Sequence, residues 1–91
     1  PNGDGVHDEL EVSFTLQGIE AAVVDVSIYD LGGRLVRRLV DGEMRSEGRY
    51  RDVWDGMGDR GLVAPGLYLA RVSVDTDLGT FEQTQSMAVA Y

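Results

Sequence analysis

The stretch Tyr50–Val72, YRDVWDGMGDRGLVAPGLYLARV, holds the chain's single tryptophan and one of its two prolines. It reads as a strand ending at Trp54, a glycine- and aspartate-rich turn, and a second strand opening at Gly66. In that second strand Tyr68, Ala70, Val72 and Val74 alternate with Leu67, Leu69, Arg71 and Ser73, the period of a strand with one buried face. Trp54 closes an alternating strand in a small fold. It is therefore expected in the core, with its indole N–H satisfied. Asp55, Gly56, Gly61, Pro65, Gly66 and Tyr68 are assigned to the corner between the strands. An aspartate there accepts from nearby backbone N–H groups, and glycine permits left-handed backbone. The competing assignment is a cation or ligand loop, since Asp55 and Asp59 sit among three glycines.

Outward from this corner the pattern repeats. Glu9–Leu16 alternates strictly, with Leu10, Val12, Phe14 and Leu16 on one face. Ala21–Asp30 points Val24, Val26 and Ile28 inward, and leaves Val23 and Tyr29 on an outer face covered by a neighbouring strand or loop. Leu31-Gly32-Gly33 is a tight turn. Arg34–Val40 also fits a helical spacing. Seven residues are short for a helix, and the preceding Gly-Gly favours a hairpin, so a strand is assigned. Asp41–Gly48 reads as a polar loop, Arg49–Trp54 as a strand, and Thr80–Ala90 as the last strand, with Phe81, Met87 and Val89 on one face. Tyr50 and Tyr68 are expected to point inward with Trp54. Six or seven strands at about ten-residue spacing, with no convincing helix, predict an all-β sandwich of antiparallel sheets.

The totals narrow the function. Ninety-one residues make one small domain. A chain of this size buries about 60–65% of its unfolded surface, enough for a thin core without a deep catalytic cleft. Sixteen acidic residues against eight basic ones leave a net charge of −8. That argues against nucleic acid, whose phosphates need clustered Lys and Arg, and suits cations or basic partners. No cysteine is present, which excludes disulfides and thiolate metal sites. No apolar run approaches the ~20 residues of a membrane span, so membrane insertion is not expected. The chain opens at Pro1 inside what looks like a motif. It is therefore expected to be a piece of a longer protein, with any targeting signal outside it.

One segment carries metal chemistry. Asn2 and Asp4 alternate, Gly5 follows, and Asp8 or Glu9 closes the run, as in loops that offer calcium its hard oxygen ligands. Calcium is thus the one cofactor considered, on Asn2, Asp4 and Asp8; the competing assignment is an N-terminal turn. His7 is the chain's single histidine, which disfavours zinc or non-haem iron. Arg34, Arg37 and Arg38 are expected to pair with carboxylates on neighbouring strands rather than with an acidic partner.

The runs NGDGVHDELEVSFTL, VDVSIYDLGGRLVRRLVDG and VWDGMGDRGLVAPGLYLARV together resemble the FlgD-type immunoglobulin-like domain. The resemblance implies an immunoglobulin-like β-sandwich of about seven strands, no catalysis, and a place at the C-terminus of a secreted or surface bacterial protein. It implies a spacer, scaffold or secretion and anchoring role. The partner would be a neighbouring domain of the parent chain or another surface protein, and the isolated chain is expected to be a monomer. Two alternatives stand beside it: a carbohydrate- or protein-binding adhesive module, which needs exposed rings, and a subunit of a hook-cap-like or filamentous assembly. Related secretion tails usually carry a basic residue in the last strand, whereas here QTQSMAVAY has none, which weighs against a cleaved sorting signal. Asp52 stands where the family usually has an apolar residue. Either that face is partly solvated or Asp52 has a partner such as an arginine.

Overall fold

The computed structural model describes residues 10–58 and 61–89. These form eight strands: β1 (Leu10–Leu16), β2 (Ala22–Asp30), β3 (Leu35–Arg45), β4 (Gly48–Trp54), β5 (Met57–Gly58), β6 (Gly61–Leu62), β7 (Gly66–Thr76) and β8 (Gly79–Val89). No helix occurs among the described residues. Strands β1 and β4 form a narrow sheet, β3-β2-β7-β8 a wide one, and β5-β6 a small ribbon. Every pairing is antiparallel. The fold is an immunoglobulin-like β-sandwich. The strand count exceeds the expected seven because the glycine-rich turn folds into the β5-β6 ribbon.

The alternation explains the layers. Val12, Phe14 and Leu16 of β1, Val24, Val26 and Ile28 of β2, and Tyr68, Ala70, Val72 and Val74 of β7 are all buried. Trp54, Met87 and Val89 complete the core from β4 and β8. Each large apolar side chain removed from water contributes about 1.5–3 kcal/mol. On the outer face Tyr29 is half-buried, with the Arg71 guanidinium 5.2 Å from its ring centre.

The strands run between two poles. Leu10 pairs with Trp54, and Val89 with Gly66, so β1 enters and β8 leaves at one pole, beside the β5-β6 ribbon. The opposite pole carries the β1–β2 connection, the β3–β4 turn and the β7–β8 turn.

Two assignments change. Asp41–Gly48 is not a loop: β3 continues to Arg45, leaving only Ser46 and Glu47 between strands. A bulge makes this possible. Val24 pairs with Glu43 but Val26 with Val40, so Asp25 faces both Asp41 and Gly42. The extra residue takes its N–H out of the ladder, and the Asp25 carboxylate accepts it at 2.8 Å. Gly42 supplies the required φ of 66°. Phe81 does not join Met87 and Val89 in the core: it is 58% exposed. Alternation aims it inward, but the narrow sheet does not reach across to cover it.

The β2–β3 hairpin shows how a turn is held. Asp30 accepts the Gly33 N–H on its carbonyl, 3.0 Å, and Gly33 takes φ 87°. The Asp30 carboxylate accepts the Arg34 N–H at 2.9 Å and its guanidinium at 3.2 Å. The backbone N–H of Arg34, chiefly, together with the nearby guanidinium charge, holds Asp30 below the usual carboxylate range. A lowered folded pKa stabilises above the unfolded value of about 3.9 and loses that contribution as pH falls through the folded value. Asp30→Asn is therefore expected to flatten the acid-side decline of stability below about pH 4. Equilibrium unfolding at stepped pH checks this; an unchanged acid slope would count against it.

Candidate functional site

Three structures rise from the strands: the corner after Trp54, an ionic clamp between the sheets, and a groove at the far pole.

At the corner, Trp54 is fully buried. Its indole Nε1 donates to the Met57 carbonyl at 3.0 Å. Its ring meets Tyr68 edge-on, 5.6 Å between centroids at 68°. Asp55 turns its carboxylate back onto the Met57 N–H, 3.0 Å, which is turn chemistry. Gly56, at φ 81°, accepts the Val63 N–H at 2.9 Å. Gly61 sits at φ 100° in the ribbon, and Gly66 at φ 147° opens β7. Pro65 is exposed at the bend before β7. The Tyr68 hydroxyl donates to the Ala64 carbonyl four residues upstream, 2.6 Å. This is the geometry of the tyrosine corner of immunoglobulin-like sandwiches. Tyr50 repeats it, donating to the Ser46 carbonyl ahead of β4.

The clamp joins β3 to β4. Arg45 donates through Nη1 and Nη2 to the two oxygens of Asp52, both at 2.9 Å. A third contact reaches Glu43 at 2.8 Å. Only 10% of the Arg45 side chain and 16% of that of Asp52 are exposed. The guanidinium lies 4.7 Å from the Tyr50 ring centre, and Tyr50 stacks on Phe14 at 5.6 Å. Donation to Asp52 raises the Arg45 pKa further above its ordinary range, against the opposing cost of partial burial. Asp52 therefore has an arginine partner, on a face where the sequence left a solvated carboxylate equally open. Tyr50 points inward as expected, half-buried beneath this clamp and packed against the core. Asp52 was the signal: an inward-facing carboxylate calls for a cation, and Arg45 lies across one tight turn.

Of the arginine cluster, Arg34 pairs with Asp30 at 3.2 Å and Arg38 with Asp41 at 3.1 Å. Arg37 has no carboxylate partner among the described residues. The surface pairs Arg51–Glu11 and Arg71–Glu82 are longer, 3.4 and 3.6 Å, and contribute little.

The groove is an open space of about 580 Å³ between the edges of β1 and β8. Its apolar lining includes Phe14, Leu16, Val72 and Phe81. Sequence reasoning missed it, because alternation says which way Phe81 points but not whether anything faces it.

The calcium ligands assigned to Asn2, Asp4 and Asp8 lie outside the described residues, as do His7 and Asp59. Among the described residues no three His, Asp or Glu side chains gather as metal ligands. The described rings of Phe14, Trp54 and Tyr68 are buried, those of Tyr29 and Tyr50 half-buried, and Phe81 alone is exposed. No row of exposed rings forms among them.

Paired antiparallel sheets and a tyrosine corner after a buried tryptophan define an immunoglobulin-like sandwich domain. The model of the FlgD Ig-like domain family matches residues 3–77, and the chain belongs to that family. Searches of the curated proteins and of the solved structures find no match.

Proposed function

We propose that the chain is a non-catalytic accessory module of a larger secreted or surface bacterial protein, attached at one pole and presenting the other for docking. Membership of the FlgD Ig-like domain family carries this reading. The placement of Leu10 and Val89 at a single pole supports it. An in-line spacer is served better by connections at opposite ends. A module attached at one end leaves the far pole of a body 40 × 28 × 18 Å free for a partner. A secretion or anchoring role is compatible with the same geometry.

Deleting the module from its parent chain is the test. Catalytic or binding turnover of the neighbouring domain is expected to persist, while delivery to the surface or medium, or the neighbour's thermal stability, falls. Loss of turnover in a neighbour that remains folded and correctly delivered would overturn the proposal, as would indifference of every readout. A hook-cap-like subunit is the second reading, favoured by the edges of β1, β4, β3 and β8, which no further strand pairs among the described residues. Concentration-dependent assembly in sedimentation would support it.

A further inference from the structure

The two sheets of this sandwich differ in width. Strands lie about 4.8 Å apart, so a two-stranded sheet spans roughly half the width of the four-stranded sheet it faces. On the β3 side the difference is filled: the β5-β6 ribbon packs Gly58 against Val36, and the Arg45–Asp52 clamp closes the gap. On the β8 side nothing among the described residues fills it. Phe81 stands exposed over a groove floored by Phe14, Leu16, Val72 and Val74. One side chain crosses the opening, Gln85 of β8, whose Nε2 donates to the Ser13 carbonyl at 2.8 Å.

The wall of this groove specifies its occupant. Among the described residues β1 pairs with β4 on one side and with no strand on the other, so alternate N–H and C=O groups along it have no ladder partner, the Ser13 carbonyl being held by Gln85 instead. Such an edge is satisfied by another extended backbone. A strand added to β1 would widen the narrow sheet over β8 and cover Phe81. Charge selects among extended segments. Glu20 is exposed beside the lining residue Ile19, while the Glu82 carboxylate turns to Arg71 on the other face of the sheet. The chain as a whole carries −8. A second copy would bring the same charge and be repelled, whereas a basic segment is attracted.

We propose that the β1–β8 groove is a docking site for an extended, basic peptide segment of another protein, which adds to β1 as a strand and places alternate apolar side chains over Phe81. This goes beyond the accessory role, because it names a surface and the chemistry of its partner.

The probe is a synthetic peptide alternating lysine and valine, titrated into the isotopically labelled 91-residue chain. Amide shifts are expected along Glu11–Gln17 and Thr80–Gln83, weakening as salt rises. A glutamate–valine peptide is expected to bind more weakly, and a central proline in the lysine–valine peptide to abolish binding. Phe81→Thr, at an exposed position, is expected to keep the melting temperature and weaken binding about tenfold or more. The proposal is overturned by an absence of shifts, by shifts that map elsewhere, or by equal binding of the proline peptide. Undiminished affinity of a folded F81T variant would also overturn it. So would shifts of the same amides with protein concentration alone, which would make a second copy the occupant.

Discussion

Arg45→Ala is expected to destabilise the fold by about 3 kcal/mol, near the low end of what removing one partner from a buried ion pair costs. The low end applies because both side chains keep some solvent contact, 10% and 16% exposed. The variant would leave the Asp52 carboxylate facing the core without its two donors. It would also uncover the Tyr50 ring, which the guanidinium overlies at 4.7 Å. For a domain of this size the melting temperature should fall by about 15 °C. Arg45→Lys should recover only part of the loss, because a point charge reproduces neither the two-pronged contact nor the planar stack. Replacing both partners with apolar residues of similar volume should recover more than either single variant, since no charge is then stranded. Thermal and urea unfolding, followed by Trp54 fluorescence, measure all three. A loss within about 1 kcal/mol for Arg45→Ala would place the clamp among ordinary surface pairs and sink the argument.

The clamp also marks a boundary of what sequence pattern conveys. Where a strand is central and has one buried face, alternation names the core directly: Val24, Val26 and Ile28 are each 0% exposed. Where a strand is an edge, the pattern fades. The second half of β3 reads DGEMR, polar enough to pass for a loop, because an edge strand has one neighbour and little apolar surface to bury. Its continuation depends on a bulge and on a side chain from β2 that reaches the Gly42 amide, neither of which is a local property of residues 41–45. Phe81 fails for a different reason. Its face follows from its own strand, but its burial depends on how many strands stand opposite, which is a property of the whole sandwich. The pairing of Asp52 was half legible, since the need for a cation shows in the residue and the identity of the cation does not. The corner residues were the most legible, because Asp55, Gly56 and Tyr68 act within a few residues of their own positions.

The corner carries the other large effect. Trp54→Ala is expected to cost about 4 kcal/mol, in the range for emptying a fully buried aromatic site. A domain of this size has total stability on the order of 5–14 kcal/mol, so the variant would retain little of it. Two contributions are combined in that number, and Trp54→Phe separates them. Phenylalanine keeps a ring against Tyr68 but lacks the N–H that now donates to Met57 at 3.0 Å. It should cost about 2 kcal/mol, from lost volume and an unpaired carbonyl. The two losses act in different places. Lost volume is felt across the core, because β1, β2 and β7 all pack into the same cluster as Trp54. The lost hydrogen bond is felt at the ribbon, which pairs through only Met57–Leu62 and Gly58–Gly61. Amide exchange in Trp54→Phe should therefore accelerate more at Met57 and Leu62 than at Val24 or Val72, once the global loss of stability is subtracted. Uniform acceleration would mean that the indole acts by bulk alone and that the ribbon holds itself. A selective response would make Trp54 both the plug of the core and the fastening of the ribbon that closes the β3 side of the sandwich.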